Sequence, residues 1–134
     1  MAEEVVVKDQ LTSEMLDAGR ALVKELVGVN LSLVCALWLY SSESNRWRLM
    51  IATPAADSDG PNKVYSILQE VLASNALRGF KLRLRDIAVA SPNTPLVEAL
   101  RLTVKIPEGS ADFRFTRSRA NDVYVEDSHI LYLR

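Results

Sequence analysis

One cysteine and one histidine in 134 residues leave no material for a Cys/His zinc site or a disulfide framework. Glycine and proline are equally sparse, five of each, which excludes collagen-like and linker-like compositions. The longest apolar run, Leu33 to Tyr40, falls far short of the ~20 residues a membrane-spanning helix requires. No G-x-G-x-x-G, Walker P-loop, H-E-x-x-H or G-x-S-x-G is present, so chemistries that depend on those local signatures have no foothold. Neither sign of charge dominates: 16 Lys and Arg stand against 17 Asp and Glu, for a net charge of -1 and a pI near 5.8.

What is present suits one globular domain spanning residues 1–134. Hydrophobic residues make up 49% of the chain and charged residues 25%, enough apolar material at this length for a core without staples. The first residues, Met1-Ala2-Glu3-Glu4, are acidic where a secretory signal would be basic, and a lone thiol fits a reducing compartment. The expected location is the cytoplasm, with no membrane attachment and no cofactor.

Periodicity supplies the elements. Thr12 is an N-cap candidate for a helix to Val27, with Met15, Ala18, Leu22 and Leu26 on one face and Gly28 as the stop. Leu31 to Tyr40 is apolar on both alternating faces, the pattern of a central strand covered on both sides. After the turn Ser41–Asn45, residues Arg46 to Thr53 alternate with Trp47, Leu49 and Ile51 inward, which makes an antiparallel hairpin. A polar loop, Asp57 to Pro61, precedes a second helix to Leu77 with Val64, Ile67, Leu68, Val71 and Leu72 buried. Phe80 to Ala90 reads as a strand. Thr94-Pro95 opens a third helix that buries Leu96, Leu100, Leu102 and Val104 and stops before Pro107. Asp112 to Arg134 reads as two strands, or three. The order α-β-β-α-β-α-β-β predicts an α/β (α+β) fold with a single mixed five-stranded sheet and three helices.

The candidate chemistry is thin. Cys35 sits mid-strand in the most apolar stretch, where a small core residue is expected and not an activated thiol. Asp127-Ser128-His129 spells a triad, but consecutive strand residues face opposite sides and cannot converge on one substrate atom. Asp57 and Asp59 could bind a hard metal ion from one loop, yet no E-x-K follows on a neighbouring strand as a nuclease would require; favouring the turn and the following helix N-terminus is the simpler role.

The distribution of charge is the clearest signal. Residues 1–77 carry six basic and ten acidic side chains, whereas residues 78–134 carry ten basic and seven acidic. Lys81, Arg83 and Arg85 alternate with Phe80, Leu82 and Leu84, which on a strand puts the cations on one side. Arg114, between Phe113 and Phe115, is followed by Arg117 and Arg119; if the two strands neighbour one another, six cations form one basic face. Arg46-Trp47-Arg48 is a second cluster, an interface candidate because Trp and Arg are enriched in binding hot spots.

Ala36-Leu37-Trp38-Leu39-Tyr40, Trp47-Arg48-Leu49, Ile51-Ala52-Thr53-Pro54, Asp59-Gly60-Pro61 with Tyr65, and Val123-Tyr124-Val125-Glu126-Asp127 carry a resemblance that would extend over most of the chain. In these stretches the sequence resembles small stand-alone bacterial proteins of unassigned function. The resemblance implies a bacterial cytosolic origin and a compact domain, and it brings no activity or site residues with it. The expected function is a non-enzymatic interaction or regulatory module that acts through a sheet edge and the basic face, with an acidic protein or a second copy as partner. Nucleic acid ranks below these because the pI is low. The alternatives are a metal-dependent phosphodiesterase or nuclease using Asp57 and Asp59, a nucleic-acid-binding domain, and a small-molecule sensor with a pocket between the Trp38 face and the second helix.

Overall fold

A computed structural model describes residues 10–103, 110–115, 118–120, 123–125 and 127–134. The first helix, α1 (Ser13–Gly28), starts where Thr12 Oγ1 accepts the Met15 N–H at 3.1 Å. Strands β1 (Cys35–Ser41) and β2 (Arg46–Ala52) form the expected hairpin, with Trp38 opposite Leu49 and Tyr40 opposite Trp47. The short α2 (Ala55–Ser58) then leads into α3 (Pro61–Leu72), which has Pro in its first turn. Next come β3 (Ile87–Ala90), α4 (Pro95–Thr103), β4 (Ser110–Phe115), β5 (Ser118–Ala120), β6 (Val123–Val125) and β7 (Ser128–Leu133). The fold is α+β with a mixed sheet of order β3-β2-β1-β7-β4; β2 and β3 run parallel and the other pairs antiparallel.

β1 lies mid-sheet and is covered on both faces. Ala36, Trp38 and Tyr40 join Leu22 and Leu26 of α1, Val64 and Leu68 of α3, and Trp47, Leu49 and Ile51 of β2 in one apolar cluster. Cys35 and Leu37 point the other way and pack with Val97, Ala99 and Leu100 of α4 and with Ile130 and Leu133 of β7. The closest approach of helix to sheet is at Gly19. A β-carbon there would lie 2.6 Å from Leu131 Cδ1 and 2.8 Å from Trp38 Nε1, so only glycine lets α1 sit this low. At that depth the Trp38 indole N–H donates to the Met15 carbonyl at 3.1 Å.

Several expectations are corrected. The segment from Phe80 to Ala90 is not one strand: only Ile87–Ala90 pairs, and Leu84–Asp86 coils into a 3-10 turn. The cause is local, because the Asp86 carboxylate accepts the Arg83 N–H at 3.0 Å and closes the turn. Alternation of exposure survives without a ladder: Phe80, Leu82 and Leu84 pack on the core while Lys81, Arg83 and Arg85 face solvent. The second helix ends at Leu72, not Leu77, where the Ser74 N–H and hydroxyl both donate to the Val71 carbonyl. On α4 the buried residues are Val97, Ala99 and Leu100, while Leu102 is 63% exposed; Val104 lies outside the described residues. Asp57, expected on a loop, belongs to α2. After α4 the described residues hold four strands, and β5 with β6 forms a separate two-stranded sheet, because a turn-length pairing of Ser118–Ala120 with Val123–Val125 closes on itself.

Candidate functional site

The predicted six-cation face does not assemble by strand pairing. Lys81, Arg83 and Arg85 precede β3 at one edge of the sheet, and Arg114 belongs to β4 at the opposite edge. Arg119 is carried by β5, opposite Tyr124 in the separate sheet, and Arg117 lies outside the described residues. A different arrangement emerges around Trp47. Its side chain is buried, as its inward strand position dictates, and its ring meets Tyr40 edge-on at 5.4 Å between centroids. The Arg114 guanidinium lies 5.3 Å from the same ring centroid and holds Asp127 through two hydrogen bonds of 2.9 Å. That pairing raises the Arg114 pKa further above its ordinary value, first through the hydrogen bond and then through the carboxylate's charge. Tyr40 Oη donates to Asn45 Oδ1, which ties the ring partner of Trp47 to the hairpin turn.

Two adjoining hollows open beside Trp47, sharing Met15, Trp47 and Asp86 in their walls. The first, about 230 Å³, is lined by Met15, Ala18, Trp38, Trp47 and Leu82, with Glu14, Lys81 and Asp86 completing its wall. The second, about 570 Å³, is polar, with Gln10, Ser44, Asn45, Arg46 and Arg85 in its walls. The cleft therefore lies between the first turns of α1, the hairpin turn and the segment leading to β3. This is the Trp38 face anticipated for a pocket, but α1 rather than the second helix forms its other wall.

The charges around the cleft fall into two kinds. Arg46 donates to Asp86 Oδ1 at 3.2 Å while Asp86 Oδ2 takes the Arg83 N–H, so this carboxylate is engaged on both oxygens. Arg48 lines neither hollow and donates to the Ile87 carbonyl at 3.2 Å. Lys81 and Arg85 are exposed and make no ion pair among the described residues. Asp86 was not singled out from sequence, and Glu14 and Met15 were read only as residues of the first helix, not of a site. The only hint was that Asp86 breaks the apolar alternation where Leu84 would be followed by another inward residue.

The remaining candidates are dispersed. Cys35 is fully buried, and desolvation pushes its thiol up to about 12 despite the opposing charge of Arg101. His129 is paired opposite Trp38, so it lies on the other side of the sheet from Cys35. Asp57 Oδ2 accepts the Ser91 hydroxyl at 2.7 Å, and no group of three His, Cys, Asp or Glu able to hold a metal occurs among the described residues. The β3 edge is also occupied. The Ala90 carbonyl accepts the Thr53 N–H, so the backbone groups of Ile87 and Val89 face the open edge; there the Val89 N–H donates to Tyr65 Oη at 3.3 Å and the Ile87 carbonyl accepts Arg48. Among the described residues, no helix is long and apolar enough to cross a membrane. Neither a family model, nor a curated protein, nor a solved structure matches the chain.

Proposed function

We propose that this protein is a non-catalytic interaction module that holds an acidic segment of a protein partner at the Trp47 cleft. The observation that carries the reading is the position of Lys81 and Arg85. Both stand on the rim of a cleft with an apolar floor, and neither makes an ion pair among the described residues, whereas the neighbouring Arg46 and Arg114 are paired. Exposed cations of this kind steer an oppositely charged surface and set register. The buried tryptophans favour a protein over nucleic acid. Trp38 and Trp47 are 2% and 6% exposed, and Arg114 and Tyr40 already lie against the Trp47 ring, so neither tryptophan offers an open platform for base stacking. The expected sheet-edge contact is not part of this reading, since the Tyr65 and Arg48 side chains take the outward Val89 N–H and Ile87 carbonyl of β3.

Titration calorimetry with a peptide of interspersed Glu and Leu tests the proposal. Binding should occur and weaken as salt rises, because the rim is solvent-exposed and screened. The same peptide with Lys in place of Glu should not bind. Equal binding of the Lys peptide, or tighter binding of a short DNA duplex, would overturn the proposal. A dimer that dissociates in salt, seen by light scattering, would identify a second copy as the acidic partner.

A further inference from the structure

Resting on that reading, we infer that the partner segment is recognised by one apolar side chain seated in the smaller hollow, beside a carboxylate that lies in the larger one. The two hollows differ in chemistry and share a wall, so a single ligand spanning both needs an apolar group and an anionic group side by side. The smaller hollow exists because α1 presents Ala18 there, opposite the two tryptophans, with Met15 and Leu82 closing the sides. Its volume, about 230 Å³, is below the range of ~300–1,000 Å³ typical of sites for drug-sized ligands, which suits one side chain and not a larger molecule.

Charge fixes the orientation. Glu14 stands in the wall of the apolar hollow with Lys81, so a carboxylate there gains little. The polar hollow has Arg85 and Arg46 in its wall, with Asp86 already engaged by Arg46 and by the Arg83 N–H. An acid is therefore drawn toward Arg85 while the apolar neighbour is drawn under Leu82. An isolated carboxylate would leave the apolar floor wet, and an apolar group alone would leave the cations unanswered.

Peptides that keep the acidic residues constant and carry Phe, Leu or Ser at one central position separate this inference from the reading beneath it. Replacing Leu by Ser should weaken binding about ten- to hundredfold, the effect of losing one buried apolar side chain. Leu82→Ser should weaken the Leu peptide and leave the Ser peptide unchanged, with the thermal melt recorded to confirm a folded variant. Equal binding of the Phe, Leu and Ser peptides would overturn the anchored side chain and leave the electrostatic reading standing. Failure of every acidic peptide to bind would overturn both.

Discussion

Two sets of cations flank the same tryptophan and behave differently. Arg46 and Arg114 are held by Asp86 and Asp127; Arg46 and Asp86 stand in the cleft wall, and Arg114 lies over the ring of the Trp47 that lines it. Lys81 and Arg85 stand exposed on the rim without an acid partner among the described residues. The contrast teaches that position in a basic stretch does not decide a cation's role. Whether a carboxylate is folded beside it does.

Substitutions should sharpen this division, beginning with the support beneath the cleft. Gly19→Val should cost about 2–3 kcal/mol or more, because the side chain would enter space held by Leu131 and the Trp38 indole, and chemical denaturation would measure it. Arg114→Ala should cost about 1–2 kcal/mol, removing the cation over Trp47 and leaving Asp127 without its guanidinium; partial exposure of the arginine keeps the figure modest. Asp86→Ala should cost about 1 kcal/mol by releasing both Arg46 and the Arg83 N–H, with amide exchange rising first across Leu84–Asp86. Lys81→Glu and Arg85→Glu should each change stability by no more than about 0.5 kcal/mol, since neither makes an ion pair among the described residues. At neutral pH Cys35 should show no reactivity toward a thiol reagent until the protein unfolds. Its folded-state pKa is raised above the reference value of 9.0, so its contribution to stability is complete below that pH and is lost as pH rises towards about 12.

The hairpin and α1 were legible in sequence because their signals are local: the Thr12 cap, the stripe of Ala18, Leu22 and Leu26, and the inward Trp47, Leu49 and Ile51. Phe80–Arg85 misled for a physical reason. Alternation reports which side chains touch the core, and a segment draped over a core alternates as a paired strand does; pairing itself depends on a neighbour, and here only Leu49–Ala52 of β2 pair with β3. The four strands from Ser110 onward were compressed in the reading because segments such as Ser118–Ala120 are too short to set a period. Within the candidate site, Trp47 facing inward and Lys81 and Arg85 facing out were readable. The meeting of Arg114 with Trp47 was not, since it joins residues far apart in the chain through a folded sheet.

The most direct test of the central claim is a paired measurement on the Lys81→Glu/Arg85→Glu double variant: calorimetric titration with the Glu/Leu peptide and a thermal melt. The account predicts at least a tenfold loss of affinity with the melting temperature unchanged. Undiminished binding, or a loss of stability as large as that of Arg114→Ala, would contradict it.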